Sequence, residues 1–565
     1  MKKIGLMILL VSILLNCSFA GSNMDSILEM MQQEMDRSVS NFTDASNVKM
    51  YYLAYNVVEK SEYTASARVG GLQTPYRNTQ RYLDVDVRVG SPELDNTHEI
   101  RGGSWQDNYT PRRAVQFPKE TERDAIRATL WSETEFQYRK AQERYTKVIT
   151  NRQVKVEEED LSNDFSPRDP SEYLEETVYT EIDSLHWEGV IKRTADFISE
   201  SPIVLGSTVQ FRATDKTNLF IDSEGSRLSH TNHYITFSVR INGMADDGMS
   251  IRRSEMWHSS IVGEMPDEET ILAGASRLVE ELQALIDSPI VEPYIGPAIL
   301  RNRESGVFFH EIFGHRIEAS TQKSASSGKT FTKKVNEQIL PDFITVIDDP
   351  TLERLDGNYL RGYYKYDDEG SLAQKVTVVD KGVLKNFLTS RSPIENFPVS
   401  NGHGRREFGN NVVSRQGNLI VKSDNTIEAE KLRDLLIEEC KKQDKPYGLI
   451  FEDISGGFTS TGRRGPQAFK VLPLLVTRVY ADGRPDETVR GVDIVGTPLT
   501  SFSKIVITGD DPGIFNGTCG AGSGMVPVSA VSPSILVSEI EVQKRSKGQE
   551  KPPILPPPGF AGDTQ

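Results

Sequence analysis

The pattern of apolar residues changes character around Ser288–Pro297, and that change limits the fold more than any other feature of the chain. Before it, Met50–Val57 and Tyr82–Val89 alternate apolar and polar residues, as half-buried strands do. Thr208–Asp222 and Tyr234–Asn242 read as further strands, with Ser223-Glu224-Gly225 a turn after the first of them. Helices are predicted over 23–36, Lys119–Thr150, His186–Ser199 and Asp267–Ile286. In the last, Ile271, Ala275, Leu278, Leu282, Leu285 and Ile286 share one face, and Pro289 stops it. Lys119–Thr150 is so charged that it predicts a solvated helix packing one narrow stripe. Glu157-Glu158-Glu159-Asp160 opens a stretch to Glu176 that predicts a solvated linker. Beyond the boundary, Phe343–Ile347, Lys375–Val379, Val383–Leu388, Leu419–Lys422 and Leu474–Tyr480 predict strands. Asp380-Lys381-Gly382 and Asp482-Gly483 predict hairpin turns, and only Val307–Ala319 and Glu428–Lys442 read as good helices. The expected class is α+β, with the main division at about residue 290. A chain of 565 residues exceeds one ordinary core, so division is expected on length too.

The first residues read as an address label. Lys2 and Lys3 precede an apolar run over 4–15, about 18 Å long as a helix, against the roughly 30 Å of a bilayer core. Ser18-Phe19-Ala20 then supplies small residues for cleavage before Gly21. Residues 1–20 are therefore expected to be a secretory signal peptide, and the protein to be exported to the periplasm or cell envelope. Cys17 raises a lipidated variant, for which Asn16 is a poor neighbour. No later segment is long and apolar enough to span a membrane as a helix. Residues 546–565 are Pro-rich and expected to be a disordered tail. Lys+Arg total 65 against Asp+Glu 81, a formal charge of −16, which argues against nucleic acid as a partner.

The chemistry concentrates in Val307-Phe308-Phe309-His310-Glu311-Ile312-Phe313-Gly314-His315. Two histidines and a glutamate in an apolar helix suggest a metal centre. Their spacing is i and i+5, however, which on a straight α-helix turns the rings about 140° apart. A bend, a π-bulge or a helix end is needed to bring them together, and Gly314 supplies the freedom. Candidate third ligands are Cys519, His403, Cys440 and carboxylates. Cys440 shares a helix face with Leu432, Leu435 and Leu436 and reads as core. Cys519 sits in the Gly-rich stretch Asn516–Gly524, which reads as a loop able to approach a ligand closely. In an oxidising compartment Cys440 and Cys519 could instead pair. Gly402-His403-Gly404-Arg405-Arg406 suits either an anion site or, preferentially, an exposed turn. Ser326–Thr330 lacks the first glycine of a P-loop, and Asp367–Gly370 has too few ligands for a calcium loop.

With these motifs in hand, the sequence resembles the TldD/PmbA family of metallopeptidases, in its metal-carrying TldD-type form. The matching segments, in order, are Gly306–His315, Asp367–Gly370, Gly382–Lys385, Asn401–Arg405 and Cys519-Gly520 with Val526–Val528. The resemblance implies zinc held by His310, His315 and Cys519, with Glu311 as general base. It also implies an α/β N-terminal domain (21–290, helices on a mixed sheet) and a β-rich, mainly antiparallel C-terminal domain (291–545) carrying the site. Short or unfolded peptides as substrates, and a dimer with itself or with a family paralogue, are implied as well. Residues 21–180 look like an extension atypical of the family. Two other readings compete: a thiol hydrolase with Cys519 activated by His403, and a catalytically silent exported binding or assembly partner.

Overall fold

The computed structural model describes residues 24–42, 48–102, 113–154, 160–463 and 468–545. The expected signal peptide with Cys17, and the Pro-rich tail, lie outside the described residues. Residues 24–42 form helix α1. The predicted N-terminal strands extend into long ribbons: Met50–Arg68 (β1), Tyr76–Ser91 (β2), Gly206–Asp222 (β3), Arg227–Met244 (β4) and Ser250–Ser259 (β5). They pair antiparallel in the order β2-β1-β3-β4-β5 within a nine-stranded sheet. Glu172–Leu174 adds a short parallel pairing to β4, so the sheet is mixed.

One face of this sheet is covered by α1, Arg123–Val154 (α2), Ser184–Ser199 (α3) and Glu268–Asp287 (α4). Odd-numbered β3 residues such as Phe211 and Leu219 enter the cores beneath the helices. Trp187 of α3 stacks on Phe211 with ring centroids 4.3 Å apart. In α2, Ile126, Leu130, Tyr138 and Ala141 make the narrow buried stripe its composition predicts. Asp183 and Asp267 cap α3 and α4 by accepting from His186 N and Thr270 N, which fixes where those helices start.

From Tyr294 onward the fold is two sheets around one core. Tyr294–Leu300 (β6), Tyr447–Thr459 (β8), Phe469–Tyr480, Val492–Gly496 and Ile535–Lys544 (β11) form a closed circuit within an eight-stranded sheet. A six-stranded sheet contains Asn418–Ser423 (β7) and ends in the hairpin Gly513–Ala521 (β9) and Gly524–Ser532 (β10). Helix α5, Asn302–Phe309, runs between the sheets, and Val307, Phe308, Phe309, Ile312 and Phe313 join residues of both in the largest core. The molecule is thus a sheet-rich α/β structure with a mainly antiparallel C-terminal half. Among the described residues no helix is long and apolar enough to cross a membrane.

Several expectations need correction. Described residues 160–176 are no solvated linker: Asp164, Phe165 and Ser166 are buried. Ser166 N donates to Arg391 O (2.7 Å), and the Arg391 guanidinium donates back to Ser166 O. Acidic composition misled because the anchoring aromatic and small residues sit among the carboxylates. Gly402–Arg406 is no exposed turn either, since His403, Arg405 and Arg406 are all buried. Asp348, Asp367 and Asp84, distant in sequence, supply the partners that make this burial tolerable. Cys440 and Cys519 are both free rather than bonded to each other. Cys519 lies on a strand, and that strand is an edge, where glycines cost least.

Candidate metal centre

The predicted helix Val307–Ala319 breaks where its histidines require it. After α5, residues His310–Gly314 form a π-turn, followed by a short α-helical turn at His315–Ile317. A π-turn repeats at i→i+5, so His315 returns to the side of His310. Their ring centroids stand 5.2 Å apart. The wider turn disturbs the carbonyl ladder, and buried side chains repair it. Arg316 donates from one guanidinium nitrogen to Ile312 O (2.8 Å) and Glu311 O (3.4 Å). Gln416 Nε2 donates to His310 O at 3.4 Å. Gly314 is required here, because a Cβ would lie 1.9 Å from Gln416 Oε1. Phe502 fixes the turn from the core side, stacking on Phe309 with centroids 5.6 Å apart.

Cys519 reaches the histidines from β9. Its Sγ lies 3.3 Å from His315 Nε2, and the ligand atoms of His310, His315 and Cys519 all lie within 4.8 Å of one another. The hairpin is pinned by Arg415, which donates to Cys519 O, Gly524 O and Ser523 Oγ. On the far side of its ring, His315 Nδ1 meets Glu318 Oε2 at 3.2 Å. Arg415 Nε and Gln416 N hold the other Glu318 oxygen. His315 Nδ1–H therefore donates to Glu318 and leaves Nε2 facing the sulfur.

The electrostatics follow from this packing. Burial pushes the Cys519 thiol up, but the two imidazoles outweigh it and hold the group well below the usual thiol range. Burial disfavours a charged His315, yet Glu318 and the thiolate raise it well above an ordinary histidine. Glu311, also buried, has its carboxyl raised by burial against the pull of His310 and His315. Its Oε2 lies 4.0 Å from His315 Nε2. Strand β8 passes so close that a Cβ at Gly457 would lie 2.8 Å from Glu311 Cγ.

The donor set fits a borderline-soft divalent ion. Imidazole and thiolate are both zinc donors, and three protein ligands leave a fourth position open. His310 Nδ1 is buried with no hydrogen-bond partner, a group an ion or an adjusted neighbour would satisfy. His403 is not part of this cluster. Its Nδ1 faces Asn401 and its Nε2 faces Asp348 at 3.3 Å, so it is not the base beside Cys519. Glu318, Arg316, Arg415 and Gln416 were not anticipated. Glu318 alone had a readable signal, an acid three residues after a candidate ligand.

Residues 294–544 match the family model described as the PmbA/TldA metallopeptidase C-terminal domain. The chain is 29% identical over 266 residues to a metalloprotease of Archaeoglobus fulgidus, covering 46% of this chain and 56% of that protein. It is 25% identical over 268 residues to a zinc metalloprotease TldD homolog of Saccharolobus solfataricus, covering 47% and 54%. The chain thus spans about half the length of these relatives. The crystal structure of TldE from Thermococcus kodakarensis superposes with a TM-score of 0.55 at 13% identity, covering 91% of this chain and all of that one. At that identity the likeness concerns the fold.

Proposed function

We propose that this protein is a zinc-dependent peptidase acting on short or unfolded peptides. The observation that carries the reading is the convergence of His310, His315 and Cys519 from sites 204 residues apart, beside the buried carboxylate of Glu311. The three would hold zinc, which when bound supplies Lewis acidity toward water and a peptide carbonyl. Glu311 accepts the proton of the attacking water and delivers it to the amide nitrogen as the C–N bond breaks. Burial, which raises its carboxyl, suits both halves of that transfer. Glu318 holds the His315 ring in one tautomer. Proposals from the family resemblance complete the reading. The protein has units over 21–290 and 291–545 and acts as a dimer with itself or a paralogue; its export to the periplasm or envelope is proposed instead from the signal-like residues 1–20, not from the resemblance.

The low-lying Cys519 thiol favours one competitor, a thiol hydrolase using His315 as its base. Metal analysis and chelation separate the two. The purified chain is expected to hold one zinc, and a chelator to abolish peptide hydrolysis. Glu311→Gln is expected to keep the zinc and lose about 10²–10⁴-fold in rate, and Cys519→Ala to lose zinc. Chelator-resistant hydrolysis that alkylation abolishes would replace the metal reading with the thiol one.

A further inference from the structure

The face of the nine-stranded sheet turned away from its helices is polar, and cations gather on it. Even-numbered residues Arg212, Thr214 and Lys216 of β3 project there, opposite Thr236, Tyr234 and Asn232 of β4. Arg361 reaches this face from the C-terminal half. Its guanidinium donates to Thr236 Oγ1 (3.2 Å) and His258 Nδ1 (3.0 Å) and lies 5.5 Å from the Tyr234 ring centre. Behind it, the Arg405 guanidinium donates to the carbonyls of Gln416 and Pro527. Among the described residues, the guanidinium groups of Arg361 and Arg405 meet a hydroxyl, an imidazole and backbone carbonyls, and no carboxylate oxygen stands in ion-pair contact with them, with Arg212 or with Lys216. The nearest carboxylates are engaged elsewhere, Glu62 with Lys60 and Asp368 with Arg406 N, so the cations outnumber the acids free to pair with them, an arrangement that suits an anion. Burial holds the Lys216 ammonium below its usual range; Asp368 opposes this, while Arg405 and Arg406 add to it.

Two donors nearby lack acceptors. A guanidinium only donates, so His258 Nδ1 must accept from Arg361, and the ring proton resides on Nε2. That Nε2 is buried without a partner, and so is Arg361 Nε. His258 stays neutral, because burial and then Arg361 and Arg303 push it down to about 3. Lys216, Arg361, Tyr234 and His258 are only half-buried and Arg212 is exposed, so part of each side chain is accessible to a ligand. It is also tied to the strand that carries part of the candidate centre. Arg361 N donates to Asn516 Oδ1 at 2.9 Å, on the strand that carries Cys519 three residues further on. Those residues span about 10 Å of strand and their side chains leave its opposite faces, so a substrate that meets both passes around this edge strand.

The geometry points to a substrate-carboxylate site formed by Arg212, Lys216 and Arg361. It selects peptides with a free C-terminal carboxylate, or an acidic side chain, a few residues from the cleaved bond. This inference rests on the peptidase reading and names its substrate class.

The test measures fluorescence anisotropy of labelled, uncharged-side-chain hexapeptides on the zinc-loaded full chain carrying Glu311→Gln. The peptides are a C-terminal acid, its amide, and an amide with one internal glutamate. The free acid is expected to bind about tenfold more tightly than the neutral amide. Lys216→Met and Arg361→Met should each shrink that ratio. Recovery of affinity by the glutamate-containing amide would identify a side chain as the anion's source, and failure to recover it the C-terminus. Equal affinity of all three peptides, or no binding by any, would overturn the site whether or not the variants fold. A ratio unchanged in both variants would overturn it as well. Acid-selective binding without hydrolysis by the wild-type chain would leave the site standing and remove the peptidase reading instead.

Discussion

Glu318 accepts from His315 Nδ1, and Arg415 and Gln416 hold Glu318 in turn. A carboxylate in that position fixes the ring and makes its other nitrogen a better donor to an ion. Glu318→Gln keeps the shape and loses the charge. Zinc affinity, read by competition with a chromogenic chelator, is expected to fall about 10–100-fold; unchanged affinity would exclude the role. Glu304, in the first turn of α5, is buried, and its carboxyl is pushed up to about 8 by that burial, reinforced by Asp453 and Glu452 against Arg303. The folded chain thus keeps a proton that the unfolded chain releases near 4.5. Stability should fall as pH rises from that value towards 8. Glu304→Gln should flatten the slope, giving a higher urea midpoint than wild type at pH above 8 and a similar one in acid.

Residues 160–176 show what an element can gain from residues far along the chain. The Phe165 ring lies between two guanidinium groups, Arg88 and Arg391, each 3.8 Å from its centre. Phe165→Ala is expected to cost about 3–5 kcal/mol and to open this segment to proteases, measured by limited digestion and denaturant midpoint. Nothing in the local sequence announced this packing, because both arginines come from other strands and loops. The amphipathic helices α3 and α4 were legible, since their periodicity and caps are local. So was the need for a distortion between His310 and His315, because spacing alone imposes it. Strands β6, β8, β9 and β10 were not read, for their glycines and continuous apolar runs carry no alternation. Arg415 and Gln416 were invisible for the same reason as the Phe165 contacts: their partners are set by tertiary pairing.

At the scale of the molecule, buried arginines tie the sheet of the first half to the second. Arg406 pairs with Asp84 at 2.8 Å, Arg391 with Glu224 at 2.7 Å, and Arg253 with Asp453. Breaking such pairs strands buried charge, so the halves should unfold together. All four tryptophans precede residue 291, whereas Cys440 is buried in the second half. Tryptophan fluorescence and Cys440 thiol exposure, in a Cys519→Ser chain, are expected to report one urea midpoint; separated midpoints would show independent units. The distance along the chain between the imidazoles and the sulfur bears on biosynthesis. A ribosome that has released residue 315 must add 204 more before the third donor exists. On the proposed reading, ion capture is a closing step of maturation, and a truncated translation product ending before β9 would have no complete centre with which to cleave its neighbours.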